Sequence, residues 1–297
     1  MSLTQSQVAQ YRQDGYLIAR GVLTDEDFQP IEQAYDALID HQAEELLAAG
    51  QIQSTHKDQP FSHRLATIAR ELDDETYGNF RSFTATLDIM RARLRSMFKF
   101  FFSPRLLSAV ESIVGPEITL SPIQHFRPYL PARNDAQPMR VPWHQDQGVT
   151  KKEADAAEIL TCWIPLVHVN PDAGCLQVLP GVTPMGLLEH QREGGTMIKP
   201  EWMPDTRPVD CPMQRGDILL MNSYTPHRGQ VNRTDKVRWS MDLRFQKTGT
   251  PTGRPFWPAF VIQSKTDPAS VQNDYDNWCA RWIYDLEASK GMHLHRV

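Results

Sequence analysis

The second half of this 297-residue chain contains a series of short β-rich segments that few folds can accommodate. From about residue 117 onward, apolar and β-branched runs alternate with turns rich in Gly, Pro, Asn and Asp. Short strands separated by such turns are typical of a β-sandwich or a jelly roll. The strands are predicted over residues 118–127, 159–167, 176–179, 218–221 and 237–246.

The first part of the chain, up to about residue 115, is predicted to be mainly helical. Thr4 and Thr24 are suitable N-caps, and Pro104 suits a first helical turn because its missing N–H costs nothing there. The predicted elements are helices over 4–14, 24–49, 83–98 and 103–114, a strand over 16–19 and a loop over 51–64. We expect the helices to pack against one outer face of the sheet.

No repeat, low-complexity segment or linker divides the chain. One β domain with added helices reaches this length. We therefore predict a single domain over 1–297, mainly β with flanking helices. Its parts are a mainly helical region over 1–115, a jelly-roll core over 116–250 and a C-terminal extension over 251–297.

Composition excludes several classes of protein. The formal net charge is −5 and the pI about 6.1, so no basic excess draws the chain to nucleic acid or to an anionic membrane. No apolar run approaches the roughly 20 residues of a membrane span, and the first residues do not resemble a signal peptide. The four cysteines form no C-x-x-C pair and are interpreted as reduced, buried thiols. We expect a cytoplasmic protein.

One short motif in the β-rich half predicts a metal site. His144 and Asp146 are two residues apart, and on a strand such side chains share a face. With His227 from a later strand they make a two-histidine, one-carboxylate set, which leaves open positions on Fe(II). The H-x-D motif alone is weak, and it occurs again at residues 56–58, in a polar segment that we interpret as surface.

The order of residue types, and not the H-x-D motif alone, supports this interpretation, because Arg238 follows His227 at a distance of 11 residues. Arg238 and Ser240 share a strand face, where an inward arginine can pair with a carboxylate. Each of these residues also has a purely structural interpretation that involves no metal or co-substrate. A single histidine in a β protein is more often structural, and Arg238 fits an exposed edge strand as well.

At this point the sequence resembles the phytanoyl-CoA dioxygenase family, over nearly the whole chain. The segment QYRQDGYLIARGVLTDEDF resembles the family's N-terminal helix, strand and second helix. PWHQDQG resembles its first metal motif, and GCLQVLPG its Gly-Cys/Ser-Leu turn and strand. The most specific segment is QRGDILLMNSYTPHRGQVNRTDKVRWSMDLRF, which resembles the strand, distal histidine and cofactor arginine of the family.

The resemblance implies a double-stranded β-helix, that is, a cupin-like jelly-roll barrel, and an Fe(II)- and 2-oxoglutarate-dependent oxygenase. His144, Asp146 and His227 would ligate iron. Arg238 would bind the distal carboxylate of 2-oxoglutarate, with Ser240 beside it and Thr161 near the co-substrate. The implied reaction consumes O2, hydroxylates a C–H bond and releases succinate and CO2.

Comparison with two groups of family members refines the expected site and reaction. Many members have Pro-Gly-Ser-His where this chain has Pro180-Gly181-Val182-Thr183, so the Ser-His pair is replaced here. Halogenating relatives replace the metal carboxylate with a small residue. Asp146 is present, which argues against halogenation.

The substrate is predicted only as a class, a small polar metabolite. The strand before the metal motif presents Gln124 and Phe126 on one face and His125 and Arg127 on the other. Gln124 and Arg127 are the candidate substrate contacts. An acidic substrate group could meet arginines of the β-rich half, or those arginines could pair with acids such as Asp242; they are Arg127, Arg140 and Arg244.

Other functions use the same residues. Desaturation or ring formation are alternative outcomes of the same chemistry. A cupin-like metal-dependent isomerase or hydrolase would need the metal ligands without Arg238, and a binding module would need neither. The sequence leaves the oligomeric state open.

Overall fold

The helices lie mostly in the first part of the chain, as predicted. The computed structural model describes residues 2–133, 141–193 and 195–296. Thr4 caps the first helix in a capping box with Gln7, and Gly15 ends it with a positive φ of 79°. The helices are α1 (Gln5–Asp14), α2 (Asp25–Ala48), α3 (Phe61–Glu71), α4 (Asp74–Thr86), α5 (Ile89–Ala92), α6 (Arg95–Phe100), α7 (Pro104–Val114) and α8 (Tyr275–Ala288).

The strands form two antiparallel sheets and one hairpin. The major sheet has the order β1-β8-β3-β10-β2-β11, the minor sheet has the order β7-β4-β9, and β5 pairs with β6. The strands are β1 (Tyr16–Ala19), β2 (Ile118–Tyr129), β3 (Ile159–Pro165), β4 (Leu176–Val178), β5 (His190–Arg192), β6 (Thr196–Ile198), β7 (Val209–Cys211), β8 (Ile218–Asn222), β9 (His227–Gly229), β10 (Arg238–Lys247) and β11 (Phe260–Gln263).

Alternation along the central strand β10 separates two environments. Every second residue from Trp239 to Phe245 is apolar and belongs to the large core shared with the helices. Tyr35 of α2, for example, stacks on Phe126 with ring centroids 3.9 Å apart. The alternate residues face the minor sheet and are polar; they are Arg238, Ser240, Asp242, Arg244 and Gln246.

A smaller apolar cluster joins the two sheets. Trp163 and Met221 from the major sheet pack with Leu176 and Cys211 from the minor sheet. The barrel interior is therefore apolar around this cluster and polar along β10. This asymmetry leaves one side of the interior suited to polar ligands.

Two expectations about elements were wrong. The region predicted as one helix over 83–98 is divided, because Asp88 caps α5 and Arg93 ends it in the left-handed conformation. Part of the predicted 51–64 loop is the start of α3, which sequence reasoning missed. The predicted C-terminal extension contributes β11 to the edge of the major sheet, where it pairs with β2.

The four cysteines are free; three are buried and Cys279 is partly buried. Burial raises the pKa of the Cys162 and Cys211 thiols, so these groups stay protonated. Within the described residues, no helix has the length and apolar character to cross a membrane.

Candidate metal centre

The three predicted ligands lie together between the two sheets. His227 begins β9, and His144 forms a β-bridge with it through mutual backbone hydrogen bonds of 3.0 and 2.9 Å. Asp146 is the first residue of a 3₁₀ turn and not part of a strand, so the expectation that it shares a strand face with His144 was wrong. Their ligand atoms still lie within 4.8 Å of one another. Asp146 Oδ1 is 3.8 Å from His144 Nε2 and 4.0 Å from His227 Nε2.

The hydrogen bonds of both imidazoles fit a metal. Nδ1 of His144 lies 2.9 Å from the carbonyl oxygen of Pro142, and Nδ1 of His227 lies 3.0 Å from that of Thr225. A carbonyl only accepts, so Nδ1 donates in each ring and Nε2, on the side of Asp146, is the atom that can bind a metal. Burial, and then the charge of His227, lowers the pKa of His144 to about 3. A neutral imidazole of this kind is what a metal ion requires.

Both oxygens of the Asp146 carboxylate have a partner. The Thr161 hydroxyl donates to Oδ2 at 2.5 Å, and Arg244 donates to Oδ1. Burial acts to raise the pKa of Asp146, but the charge of the neighbouring Arg244 guanidinium outweighs it, so the pKa falls and the group is ionised. The structure therefore places the Thr161 hydroxyl on the Asp146 carboxylate, where it fixes the orientation of this candidate ligand.

A set of buried side chains that sequence reasoning missed holds the segment between the two ligands. His190 Nε2 accepts the backbone N–H of Gln145 at 3.1 Å, and His190 Nδ1 donates to the carbonyl of Leu188 at 2.8 Å. The Gln145 amide donates to the carbonyls of Gly186 and Tyr224. The loop from 182 to 190 thus fixes the metal segment, in a chain that lacks the family's Ser-His pair. His190 can be identified only from the three-dimensional structure, because it lies 45 residues from Gln145 in the sequence.

Arg238 and Ser240 lie on the interior face of β10, as predicted, and both are buried. Arg238 Nη1 donates to the carbonyl of Gly174 at 2.8 Å, and its guanidinium lies 4.5 Å from the Tyr129 ring centroid. A Cβ added to Gly229 would lie 3.8 Å from Arg238 Nη1, so the arginine is beside the strand that starts with His227.

The candidate substrate residues are less well placed. Gln124 lies opposite Leu243 on the helix-packed side of the sheet, and its amide donates to the Ser121 carbonyl. Arg127 lies opposite Ser240, on the interior side, and is exposed. The structure thus places the two residues on opposite sides of the sheet, with only Arg127 on the interior side. Arg140 lies outside the described residues.

The second H-x-D motif is far from this chemistry. His56 Nε2 lies 2.5 Å from Glu71 Oε1 of α3, and Asp58 is exposed. Among the described residues, the only group of three or more potential ligands is His144, Asp146 and His227.

Comparison with known proteins places this geometry in a family. The family model described as phytanoyl-CoA dioxygenase (PhyH) matches residues 11–240. A methylphosphonate hydroxylase of Gimesia maris is 35% identical over 88 residues, which cover 29% of this chain and 32% of that protein. The peroxisomal phytanoyl-CoA dioxygenase of Mus musculus is 20% identical over 253 residues, covering 82% of this chain and 68% of that protein. The chain thus spans only about a third of the first relative.

The fold agrees with solved structures. The epimerase SnoN in complex with Fe3+, alpha ketoglutarate and nogalamycin RO has a TM-score of 0.54 and 20% identity, with 84% of this chain and 86% of that chain covered. The predicted jelly-roll fold is confirmed. The predicted class of enzyme and its cofactors, iron, 2-oxoglutarate and O2, agree with the matched family. Because that match covers most of its length, this chain belongs to the phytanoyl-CoA dioxygenase family.

Proposed function

We propose that this protein hydroxylates a C–H bond of a small polar metabolite, with one atom of O2 entering the product and 2-oxoglutarate leaving as succinate and CO2. The observation that carries the proposal is the convergence of His144, Asp146 and His227 beside the polar face of β10. Iron(II) bound there would supply the one-electron chemistry that activates O2.

The three side chains would hold the iron through two neutral Nε2 atoms and one ionised carboxylate. Thr161 and Arg244 act as positioning residues, since each donates to one oxygen of Asp146. Arg244 also has an electrostatic role, because its positive charge offsets the negative charge of the buried Asp146 carboxylate and stabilises it. The contact of Arg244 with Oδ1 would be compatible with metal binding, because the Asp146 carboxylate has lone pairs for both.

Arg238 would bind the distal carboxylate of 2-oxoglutarate, with Ser240 beside it. The support is that Arg238 is buried, faces the minor sheet and lies next to β9, which carries His227. A guanidinium offers a paired set of N–H donors that matches a carboxylate. The co-substrate would therefore lie along the first half of β10, which leaves the second half of β10 for the substrate.

The experiment is 2-oxoglutarate turnover with Fe(II) under air, measured as succinate formation against a panel of small metabolites. We expect Asp146→Ala to abolish succinate formation, because the carboxylate ligand is lost. Product analysis by mass spectrometry should show the gain of one oxygen atom. Undiminished turnover by Asp146→Ala, or metal-dependent conversion of substrate without 2-oxoglutarate, would replace this proposal with another metal chemistry.

A further inference from the structure

One buried arginine near the metal centre has no carboxylate partner among the described residues. Arg254 is 2% exposed. Its Nη1 donates to the backbone carbonyls of Gly253 and Leu294, and its Nε has no hydrogen-bond partner in the described part of the chain. The buried Arg64, by contrast, contacts Asp36 and Asp40. A buried guanidinium without an anion is costly, which makes Arg254 a candidate ligand-binding group.

The segment that carries Arg254 is fixed to the metal loop. Gly253 accepts the backbone N–H of Lys151 at 3.0 Å, and a Cβ at Gly253 would lie 2.5 Å from the Cβ of Thr150. Thr150 directly follows the 3₁₀ turn that begins with Asp146. Burial, and then the charge of Arg244, lowers the pKa of Arg254 to about 10. Arg244 in turn contacts the Asp146 carboxylate.

Further nitrogen-bearing side chains lie near Arg254. His295 directly follows Leu294, whose carbonyl accepts from Arg254, and His295 Nδ1 lies 3.5 Å from the Thr196 hydroxyl. Arg192 pairs with Thr196 in the β5–β6 hairpin. His295 of the C-terminal tail has its pKa lowered to about 4, first by burial and then by Arg254, Arg192, His293 and His125. Opposing carboxylates are few. The charge of Glu153 acts to raise the pKa of Arg254, but Glu153 is exposed. Asp242 already contacts Arg244.

We propose that Arg254, with His295 and Arg192 beside it, binds an anionic oxyacid group of the substrate, either a carboxylate or a phosphonate. This inference rests on the proposed function and adds the charge of the substrate to it. The anion would accept from Arg254 at the Nε side and compensate its buried charge. The end of the substrate opposite the anion would then lie toward Asp146 and the C–H bond to be oxidised toward the metal.

The test uses the full chain loaded with Ni(II), which does not activate O2, and saturated with 2-oxoglutarate so that Arg238 is not the anion site. Inorganic phosphate, butyrate and the neutral butanamide are titrated by calorimetry. We expect phosphate or butyrate to bind and butanamide not to bind. Phosphate alone binding indicates a phosphonate, and butyrate alone a carboxylate.

Variants assign the binding to Arg254. Arg254→Gln should weaken anion binding by about tenfold or more, the loss expected for one charge-assisted hydrogen bond. Arg254→Lys keeps the charge and should weaken it less. Arg105→Gln, at an exposed arginine of α7 that pairs with Asp27, is the matched control and should bind the anion as the parent protein does.

Three results would overturn the inference. They are anion binding to Arg254→Gln with unchanged affinity, equal binding of butanamide, and no anion binding to the parent protein. If circular dichroism shows that Arg254→Gln does not fold, Arg254→Lys is compared with the parent protein instead. An affinity of Arg254→Lys for phosphate and butyrate equal to that of the parent protein would then place the anion elsewhere. Failure of 2-oxoglutarate to bind the Ni(II) protein is separate, and it contradicts the proposed function.

Discussion

At the scale of single residues, the metal carboxylate is oriented by the side chains around it. The sequence predicts Thr161 near the co-substrate, and in the structure its hydroxyl donates to Asp146 Oδ2. Hydrogen bonds to a metal ligand fix its orientation and tune its basicity. The strand position of Thr161, directly opposite Arg244, brings both donors to the same carboxylate.

We therefore expect Thr161→Val to weaken Fe(II) binding by about tenfold or more, because the carboxylate loses one of its two fixed partners. Thr161→Ser keeps the hydroxyl and is the matched control. Anaerobic metal titration measures the effect. Equal affinity in Thr161→Val and the parent protein would mean that Arg244 alone orients Asp146.

The sequence was sufficient to predict which candidate ligands lie together and insufficient to predict what supports them. His144, Asp146 and His227 converge as the linear pattern predicts. His190 and Arg254 act through residues distant in sequence, and their role depends on how loops pack. Gln124 was misplaced for a related reason, since alternation gives two faces of a strand and does not say which one the helices cover.

At the scale of elements, the metal loop depends on the absence of a side chain at Gly148. A Cβ there would lie 2.6 Å from His190 Nε2, the atom that accepts the Gln145 N–H. Gly148→Ala must displace the ring or the loop, and we expect it to lower metal affinity by about tenfold. Gly78→Ala in α4, where no atom lies within 4 Å of an added Cβ, is the control. Metal titration of both variants decides, and equal affinities would contradict a tight loop.

The C-terminal tail should loosen at acidic pH. Docked His295 has a pKa of about 4, below the ordinary value of about 6.5 expected once the tail is released. Between these values the released tail binds more protons, so docking weakens as pH falls. The groups facing His295 are cationic or protonatable, and none of them reverses the sign; they are Arg254, Arg192, His293 and His125.

Hydrogen exchange over residues 289–296 at pH 7 and pH 5 measures this, with faster exchange expected at pH 5 after correction for the intrinsic rate. His295→Gln should remove most of the difference. Protection that is unchanged or greater at pH 5 in the parent protein would show that another contact controls the tail.

Predicted and observed elements differ where local signals are weak. Strong caps such as Thr4 and Thr24 gave correct helices, since their side-chain hydrogen bonds are local. The division of 83–98 rests on Asp88, whose carboxylate also accepts the Phe126 N–H of β2. That contact joins residues far apart in sequence, and no local pattern contains it.

At the scale of the whole molecule, the C-terminal segment belongs to the core. Trp278 and Trp282 of α8 are almost fully buried, and Trp278 packs against Phe98 and Phe101 of the N-terminal helical region. We expect Trp282→Ala to destabilise the protein by about 3–5 kcal/mol. Ile283→Ala, at a residue 57% exposed, should change stability by less than about 0.5 kcal/mol. Chemical denaturation compares them, and equal stabilities would mean that α8 is a detachable cover.

The order of strands in the major sheet also has a consequence for synthesis on the ribosome. One edge of that sheet is β1, from residues 16–19, which pairs with β8 about 200 residues later. The other edge is β11, which ends at Gln263. A nascent chain therefore carries β1 unpaired until β8, about 200 residues later, has emerged, and the sheet can be completed only after Gln263 has emerged.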